Sequence, residues 1–148
     1  RGNAQNEITE DFARDLGLAL ATLFLQRGKE EIVIARDARE SSNALNESLI
    51  QGLIQGGIEA YDIGLAPTPA LYFAVEALGF DAGIMITASH NPASDNGFKF
   101  RFHNAPFQEE DLLHLQLSHP QHFRSMLLTL CKAKLHFQNS IIMLSYNF

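Results

Sequence analysis

The sequence has little that would suit an extracellular or membrane setting. It contains one cysteine, Cys131, and no tryptophan. A lone cysteine excludes an internal disulfide, so we expect a reducing compartment, the cytoplasm. No apolar run approaches the roughly 20 residues of a membrane span, and the first residues lack the basic and apolar regions of a secretory leader. We therefore expect a soluble cytoplasmic protein with no membrane partner.

Acidic side chains are missing from one end of the chain. All 17 lie at or before Asp111, whereas eight of the 11 basic residues precede that position and three follow it. The net charge of −6 argues against a nucleic-acid partner, because phosphate contacts need a basic surface. The break in composition predicts one domain over residues 1–111 and a divergent tail over residues 112–148. We interpret the tail as frameshifted or foreign; the alternative is a small basic helix packed on the body.

Helical and strand patterns alternate in the first domain. Apolar residues at helical spacing predict a first helix that is capped by Thr9 and ends near Gly28. Two more helices are predicted, the second capped by Ser42 or Asn43 and the third by Thr68.

Four strands are predicted between and after these helices, over residues 32–35, 58–63, 83–87 and 97–102. In the last strand every second residue is a phenylalanine, and we expect this stripe to face the core. Strands that alternate with helices predict an α/β layered fold with a largely parallel sheet.

A polar segment follows the third predicted strand. Residues 87–92 have the sequence Thr-Ala-Ser-His-Asn-Pro, and ligands of α/β sheets bind at the carboxyl ends of strands. This loop can present the hydroxyl of Ser89, and Lys99 returns toward it on the next strand. A hydroxyl and a nearby amine are suitable for covalent and acid–base chemistry. From the pattern alone, an ordinary turn is the more frequent alternative.

Four segments in register resemble the α-D-phosphohexomutases, a family that includes phosphomannomutase, phosphoglucomutase and phosphoglucosamine mutase. The Thr-Ala-Ser-His-Asn-Pro string and residues 95–99 are similar to the family's phosphoserine loop. Residues 35–42 and 64–69 fit two further motifs, and Arg1-Gly2 fits the end of an opening motif whose preceding residues are missing. The resemblance covers about residues 1–111. It implies the family's first domain, a three-layer α/β fold with a mixed, largely parallel sheet of about four strands between helices.

The resemblance also implies a reaction. Hexose 6-phosphate and hexose 1-phosphate, of mannose or glucose, would be interconverted through a hexose bisphosphate. Ser89 would carry the phosphoryl group, and Mg²⁺ would bind one of its phosphate oxygens. Lys99 would act as general acid/base, and His90 would position the sugar hydroxyl or the phosphate. Arg1 and Asn91 would contact the phosphate.

Each role has a structural alternative. These are a turn hydroxyl for Ser89, a residue that braces the loop for His90 and a solvated strand lysine for Lys99. Arg36 and Arg39 would brace the active-site loop or reach the phosphate, since an arginine fork fits phosphate oxygens. Salt bridges from these two arginines to the acidic residues beside them are the stronger expectation.

Several family segments are not found in this sequence. The magnesium loop, the sugar-specificity loop and the phosphate-binding loop lie in the family's second, third and fourth domains. No Asp- and Gly-rich string of the magnesium-loop type occurs here, so we expect weak or absent Mg²⁺ binding. Two function classes remain, a phosphohexomutase domain and a truncated, non-catalytic α/β domain that at most binds phosphate. We expect the isolated chain to be inactive as a mutase.

Overall fold

The computed structural model describes residues 1–103, in which helices and strands alternate along the chain. The helices of these residues are α1 (Glu10–Gln26), α2 (Ser42–Gln55) and α3 (Thr68–Ala77). The strands are β1 (Gly2–Asn3), β2 (Glu31–Arg36), β3 (Glu59–Leu65), β4 (Ala82–Ile86), β5 (Asp95–Asn96) and β6 (Phe98–Phe102). The three predicted helices and four predicted strands are confirmed.

The four longer strands form one mixed sheet in the order β3-β2-β4-β6. β2 is parallel to both β3 and β4, whereas β6 lies at the edge, antiparallel to β4. Parallel neighbours need crossover connections, which α2 and α3 supply. Because α1 and α2 cover one face and α3 covers the other, the predicted three-layer α/β fold is confirmed.

The alternation of side chains along the central strand divides the core between the two faces. Ile32 and Ile34 of β2 pack with α1 and α2, whereas Val33 and Ala35 pack under α3. All four are fully buried, as expected for a strand that is covered on both sides. The phenylalanine stripe of β6 packs against the α1 and α2 layer, so its predicted core role is also confirmed.

The predicted cap of α1 is confirmed, whereas the other two predicted caps are wrong. The hydroxyl of Thr9 accepts a hydrogen bond from a first-turn amide at 3.2 Å. α2 begins after Ser41, because Ser42 is buried and its hydroxyl is engaged in a tertiary hydrogen bond. α3 begins after Pro67, so Thr68 is already its first helical residue. A proline in the first turn is preorganised for a helix, which explains the early start.

The sequence does not predict the second, two-stranded sheet. β1 pairs antiparallel with β5, so that Gly2 lies opposite Asn96 and Asn3 lies opposite Asp95. β5 directly precedes the strand predicted over residues 97–102, which corresponds to β6. Because β1 pairs with β5, the first residues of the chain lie beside the loop that follows β4.

Two other expectations concern membranes and the tail. In the described residues, no helix has both the length and the apolar character that a membrane crossing requires. The predicted domain boundary at Asp111 and the divergent tail over residues 112–148 lie outside the described residues. Both therefore stay predictions.

α1 and α2 contact each other backbone to backbone at two glycines. A Cβ atom added to Gly17 would collide with the carbonyl oxygen of Leu49, and one added to Gly52 would collide with that of Arg14. Neither obstacle is the end of a flexible side chain, so the helices would have to move apart. The packing of the α1 and α2 layer thus depends on the absence of a side chain at both positions.

Gly52→Ala should therefore destabilise the domain by about 1–3 kcal/mol, the usual cost of overpacking an interior. The cost of the clash itself is larger than this net change, because alanine stabilises a helix by about 1 kcal/mol relative to glycine and so offsets part of the cost. The measurement is urea denaturation of wild type and variant. Gln51→Ala, at an exposed position on the same helix, is the control and should change the free energy of unfolding by less than about 0.5 kcal/mol. Equal stability of Gly52→Ala and wild type would contradict this close approach.

Candidate active site

Two loops meet at one edge of the main sheet. β2 is followed by residues 37–41, and β4 is followed by residues 87–97, which we call the Ser89 loop. The amide of Asp37 donates to the carbonyl oxygen of Ile86 at 3.0 Å, so the two loops begin side by side. This is the carboxyl end of the parallel strands, the edge at which α/β sheets bind ligands.

Ser89 has an unusual backbone conformation. Its φ of 60° is left-handed, and no other non-glycine residue of the described chain has a positive φ. This conformation costs an L-residue about 1–2 kcal/mol, and it persists where the surroundings over-determine it. The Ser89 amide donates to Thr87 Oγ1 at 2.9 Å, and the Ser89 hydroxyl lies 3.2 Å from His90 Nδ1. The hydroxyl is therefore presented at a fixed place on the loop.

Arg39, from the neighbouring loop, binds the backbone of the Ser89 loop. Its Nη2 donates to the carbonyl oxygens of Ser89 and Asn91, both at 2.9 Å. Its Nη1 donates to the carbonyl oxygens of Pro92 at 2.5 Å and Asp95 at 3.0 Å. One side chain thus joins four peptide groups that lie at least 50 residues away in the sequence.

Asp37 connects Arg39 to the core. Its Oδ2 accepts a hydrogen bond from Arg39 Nε at 3.1 Å, and its Oδ1 accepts one from the Ser42 hydroxyl at 2.7 Å. The fully buried Asn96 donates through Nδ2 to the hydroxyls of Ser41 and Ser42, at 2.8 and 2.9 Å. Buried polar groups are costly unless they are paired, and these groups pair with one another.

The pKa of Asp37 lies below its usual value. Burial acts to raise this pKa, but hydrogen bonds from the Ser42 and Thr87 hydroxyls and from the Arg39 amide, together with the charge of Arg39, outweigh burial. Asp37 is therefore ionised at neutral pH, where it pairs with a guanidinium that is always charged.

Three of the five predicted site residues, Ser89, His90 and Asn91, are consecutive in the Ser89 loop. Ser89 is half-buried and His90 is exposed. Asn91 donates through Nδ2 to Asp95 Oδ2 at 3.0 Å, so its side chain is engaged within the loop. The serine hydroxyl and the imidazole are thus the side-chain groups of this segment that are left to react with a molecule from solution.

The other two predicted site residues lie next to this loop. Arg1 lies against Gly97, since a Cβ added to that glycine would come within 2.8 Å of Arg1 Cγ. Lys99 lies in β6 opposite Met85 and shares the face of the sheet that α3 covers. The structure therefore places all five residues in or beside the Ser89 loop, and their chemical roles stay predictions.

The arginines at the end of β2 differ. Arg39 meets two of the sequence-based expectations, because it both braces the loop and forms an ion pair with Asp37. Arg36 Nε is buried and has no hydrogen-bond partner among residues 1–103. The sequence reasoning missed the structural roles of Ser42 and Asn96. The only indication of these roles in the sequence is that both are small polar residues inside the motifs that resemble the family.

The described residues do not by themselves fit a Mg²⁺ site. Within residues 1–103 there is no group of three His, Cys, Asp or Glu side chains that could hold a metal ion. The carboxylate of the Ser89 loop is Asp95, whose oxygens accept hydrogen bonds from Asn91 at 3.0 Å and Ser94 at 3.4 Å. Mg²⁺ demands near-octahedral oxygen coordination, which one engaged carboxylate does not provide.

The site can nevertheless support covalent chemistry. A hydroxyl at a fixed position can accept a group and return it, with an imidazole 3.2 Å away and an amine on the adjacent strand as candidate proton carriers. The fold and the site together define an α/β domain whose serine loop is held by hydrogen bonds from a neighbouring loop.

The family is established by sequence. The family profile described as phosphoglucomutase/phosphomannomutase, alpha/beta/alpha domain I, matches residues 1–115. The chain therefore belongs to the phosphoglucomutase/phosphomannomutase family, and the match lies in that family's first domain. The resemblance of the four motifs is confirmed.

Curated relatives agree with this assignment. The phosphoglucomutase/phosphomannomutase of Thermococcus kodakarensis is 45% identical over 101 residues, which cover 67% of this chain and 22% of the relative. The phosphoglucosamine/phosphogalactosamine mutase of Sulfurisphaera tokodaii is 44% identical over 99 residues, or 67% of this chain and 21% of the relative. The chain thus spans about a fifth of the length of these relatives.

Solved structures show the same fold. A putative phosphomannomutase from Thermus thermophilus matches with a TM-score of 0.74 and 31% identity, over 80% of this chain and 28% of that structure. A phosphoglucomutase/phosphomannomutase family protein from Burkholderia thailandensis matches with a TM-score of 0.72 and 34% identity, over 77% of this chain and 27% of that structure.

Asp37→Asn should lower stability in a pH-dependent way. At pH 7 the loss should be about 1–3 kcal/mol, because Arg39 keeps its charge but loses its charged partner. The pKa of Asp37 is lower in the folded state, so its stabilisation is complete above the unfolded value of about 3.9. It is lost as the pH falls through the folded pKa. The difference between wild type and variant in urea denaturation should therefore shrink at pH 3 and below.

The control for this comparison is Asp11→Asn. The Asp11 carboxylate pairs with Arg14 at the surface and is 85% exposed, so its removal should change stability little at any pH. An Asp37→Asn loss that stays constant from pH 7 to pH 2 would contradict the charged pair.

Proposed function

We propose that Ser89 carries a phosphoryl group in a phosphohexomutase reaction, which interconverts hexose 6-phosphate and hexose 1-phosphate. The supporting observation is the left-handed conformation of Ser89, held by hydrogen bonds at both its amide and its carbonyl, in a chain of this family. A carrier takes part in two transfers and must occupy the same place in both. A loop with a fixed geometry meets that need, because misplacement of reacting atoms by about 1 Å can cost a factor of 10².

In the first proposed transfer, the bond between phosphorus and Ser89 Oγ breaks as a bond to a sugar hydroxyl oxygen forms. The hydroxyl proton passes to a base, Ser89 Oγ takes up a proton as it leaves, and a hexose bisphosphate results. In the second transfer, the Ser89 hydroxyl gives up its proton as its Oγ bonds to the other phosphorus atom, and the sugar oxygen that leaves that phosphorus takes up a proton. Lys99 is the proposed general acid/base for both steps. Atoms and charge balance over the two steps.

The remaining candidates act around this exchange. His90 lies 3.2 Å from the Ser89 hydroxyl and can orient it, or can orient the sugar group that approaches. Arg1, beside Gly97, can contribute a fork of N–H donors to phosphate oxygens. Asn91 donates one Nδ2 hydrogen to Asp95, and the second N–H of that amide is the donor it can offer to phosphate.

Mg²⁺ enters the proposal only through phosphorylated Ser89. When bound, it would neutralise charge on the phosphoryl oxygens. Residues 1–103 do not form a complete site for this ion, so no step of the proposal passes through it.

The proposed partners are a hexose phosphate, of mannose or glucose, and a hexose bisphosphate. Relatives carry names that include phosphoglucomutase, phosphomannomutase and phosphoglucosamine mutase. We propose a cytoplasmic site of action and no nucleic-acid or membrane partner. The competing function is a non-catalytic domain that at most binds phosphate, and it differs by having no transfer to Ser89.

The 148-residue chain, incubated with glucose 1,6-bisphosphate and Mg²⁺, should gain one phosphoryl group on Ser89. Intact mass and peptide mapping measure the gain. Ser89→Ala should gain none, because it lacks the carrier oxygen. Ser94→Ala removes an exposed hydroxyl from the same loop and should gain as much as wild type. A wild-type chain that stays unmodified would support the non-catalytic alternative.

Steady-state turnover of glucose 1-phosphate or mannose 1-phosphate by the isolated chain should be undetectable. Phosphoryl transfer depends on positioned charge, and remote binding energy must orient the sugar. Asp95 is the carboxylate of the Ser89 loop, and it is already hydrogen-bonded. A coupled assay with added Mg²⁺ and bisphosphate tests this expectation. Activity that copurifies with the chain and vanishes in Ser89→Ala prepared in the same way would overturn it.

A further inference from the structure

We propose that Arg39 is a positioning residue for Ser89 and not a ligand of the phosphate. The inference rests on the proposed function, since it assigns Arg39 a part in phosphoryl transfer to Ser89. Arginines near a phosphate site are ordinarily expected to bind the phosphate, because the guanidinium fork matches its oxygens. The contacts of Arg39 point to a different use.

The donors of Arg39 are all engaged. A guanidinium has five N–H donors and no acceptor. In Arg39 the Nε–H binds Asp37, the two Nη1 hydrogens have Pro92 and Asp95 as acceptors, and the two Nη2 hydrogens have Ser89 and Asn91. A phosphate oxygen could bind Arg39 only if one of these five hydrogen bonds broke.

Two hydrogen-bonding groups lie on either side of the Ser89 Cα atom. Ser89 is held at its amide by Thr87 Oγ1 and at its carbonyl oxygen by Arg39 Nη2, both at 2.9 Å. The two contacts lie on either side of the left-handed Cα, so they restrict both of its backbone dihedral angles. Those angles set the direction of the Cα–Cβ bond, and with it the region that the side-chain hydroxyl can reach. Arg39 thus acts on Ser89, the proposed carrier, through the backbone of Ser89.

A lysine at position 39 could not make the same set of hydrogen bonds. An ammonium group has three donors around one nitrogen, whereas four carbonyl oxygens and a carboxylate surround Arg39. Arg39→Lys keeps the charge opposite Asp37 but leaves at least two of the five acceptors without a partner. It should therefore loosen the Ser89 loop while leaving the ion pair in place.

The test compares Arg39→Lys with Arg14→Lys, which makes the same change at a surface arginine that pairs with Asp11. The 148-residue chain is incubated with glucose 1,6-bisphosphate and Mg²⁺ over hours, and intact mass gives the rate of phosphoryl gain on Ser89. A single transfer can be followed in this way even where turnover is undetectable. Arg39→Lys should lower the maximal rate by about 10- to 100-fold. The half-saturating bisphosphate concentration should stay unchanged, and Arg14→Lys should behave as wild type.

Hydrogen exchange supplies a readout that does not depend on the chemistry. The Asn91 and Asp95 amides donate to carbonyl oxygens inside the Ser89 loop, at 3.2 and 3.0 Å. These two amides should exchange faster in Arg39→Lys, whereas amides of β2 and β4 should keep their protection. A rise in the half-saturating bisphosphate concentration, with loop exchange unchanged, would overturn the proposal, because Arg39 would then bind the phosphate. Unchanged rate and unchanged exchange would also overturn it.

A second variant covers the case in which Arg39→Lys unfolds and loses protection throughout. Thr87→Val removes the hydroxyl that binds the Ser89 amide, keeps the side-chain volume and leaves Arg39 in place. The same hydroxyl also hydrogen-bonds Asp37, so this variant weakens the support of the Ser89 loop at two points while keeping the Arg39 side chain. It should gain the phosphoryl group more slowly than wild type, and a normal rate in a chain whose Ser89 loop exchanges faster would overturn the proposal. If the wild-type chain gains no phosphoryl group, the proposed function fails. The effect of Arg39→Lys on loop exchange then decides alone whether Arg39 sets the conformation of the Ser89 loop.

Discussion

Four backbone carbonyl oxygens of the Ser89 loop converge on the guanidinium of Arg39, and the geometry of the site depends on that contact. A loop whose carbonyls point inward needs a dense source of donors, and one guanidinium supplies more than any other side chain. The positive charge that comes with those donors needs compensation, which the Asp37 carboxylate provides at 3.1 Å. The loop after β2 therefore fixes the conformation of the loop after β4.

The sheet makes this contact possible. β2 and β4 are parallel neighbours in register from Ile32–Ala82 to Arg36–Ile86, so the loops that follow them leave the sheet at the same level. Both strands are packed on both faces, and on one face the helices approach closely enough to require glycine at Gly17 and Gly52. The core thus holds in place the strand ends from which the Arg39 loop and the Ser89 loop leave the sheet.

Sequence reasoning predicts the parts of this structure that depend on local patterns. The helical spacing after Thr9, the apolar central strands and the phenylalanine stripe of β6 all report on burial of nearby residues, and all are confirmed. The pairing of β1 with β5 and the bonds from Arg39 to the Ser89 loop join residues that lie 50 or more positions apart. No local pattern encodes such contacts. The caps at Ser42 and Thr68 were wrong for a related reason, since tertiary bonding and a neighbouring proline decide where α2 and α3 begin.

The candidate site shows the same division between what local sequence specifies and what the fold adds. The motif of residues 87–92 identifies the serine, but the region that its hydroxyl can reach depends on the direction of the Cα–Cβ bond, which the backbone around it sets. That backbone is held in a left-handed conformation by a threonine hydroxyl within the loop and by an arginine from another loop. Strain of this kind persists only where several contacts oppose its relief. Arg39 binds the carbonyl oxygen of Ser89 and three other carbonyl oxygens of the loop, so the fold as well as the motif fixes the backbone around the serine. The proposed carrier role needs such a restraint, because a carrier must occupy the same place in two transfers.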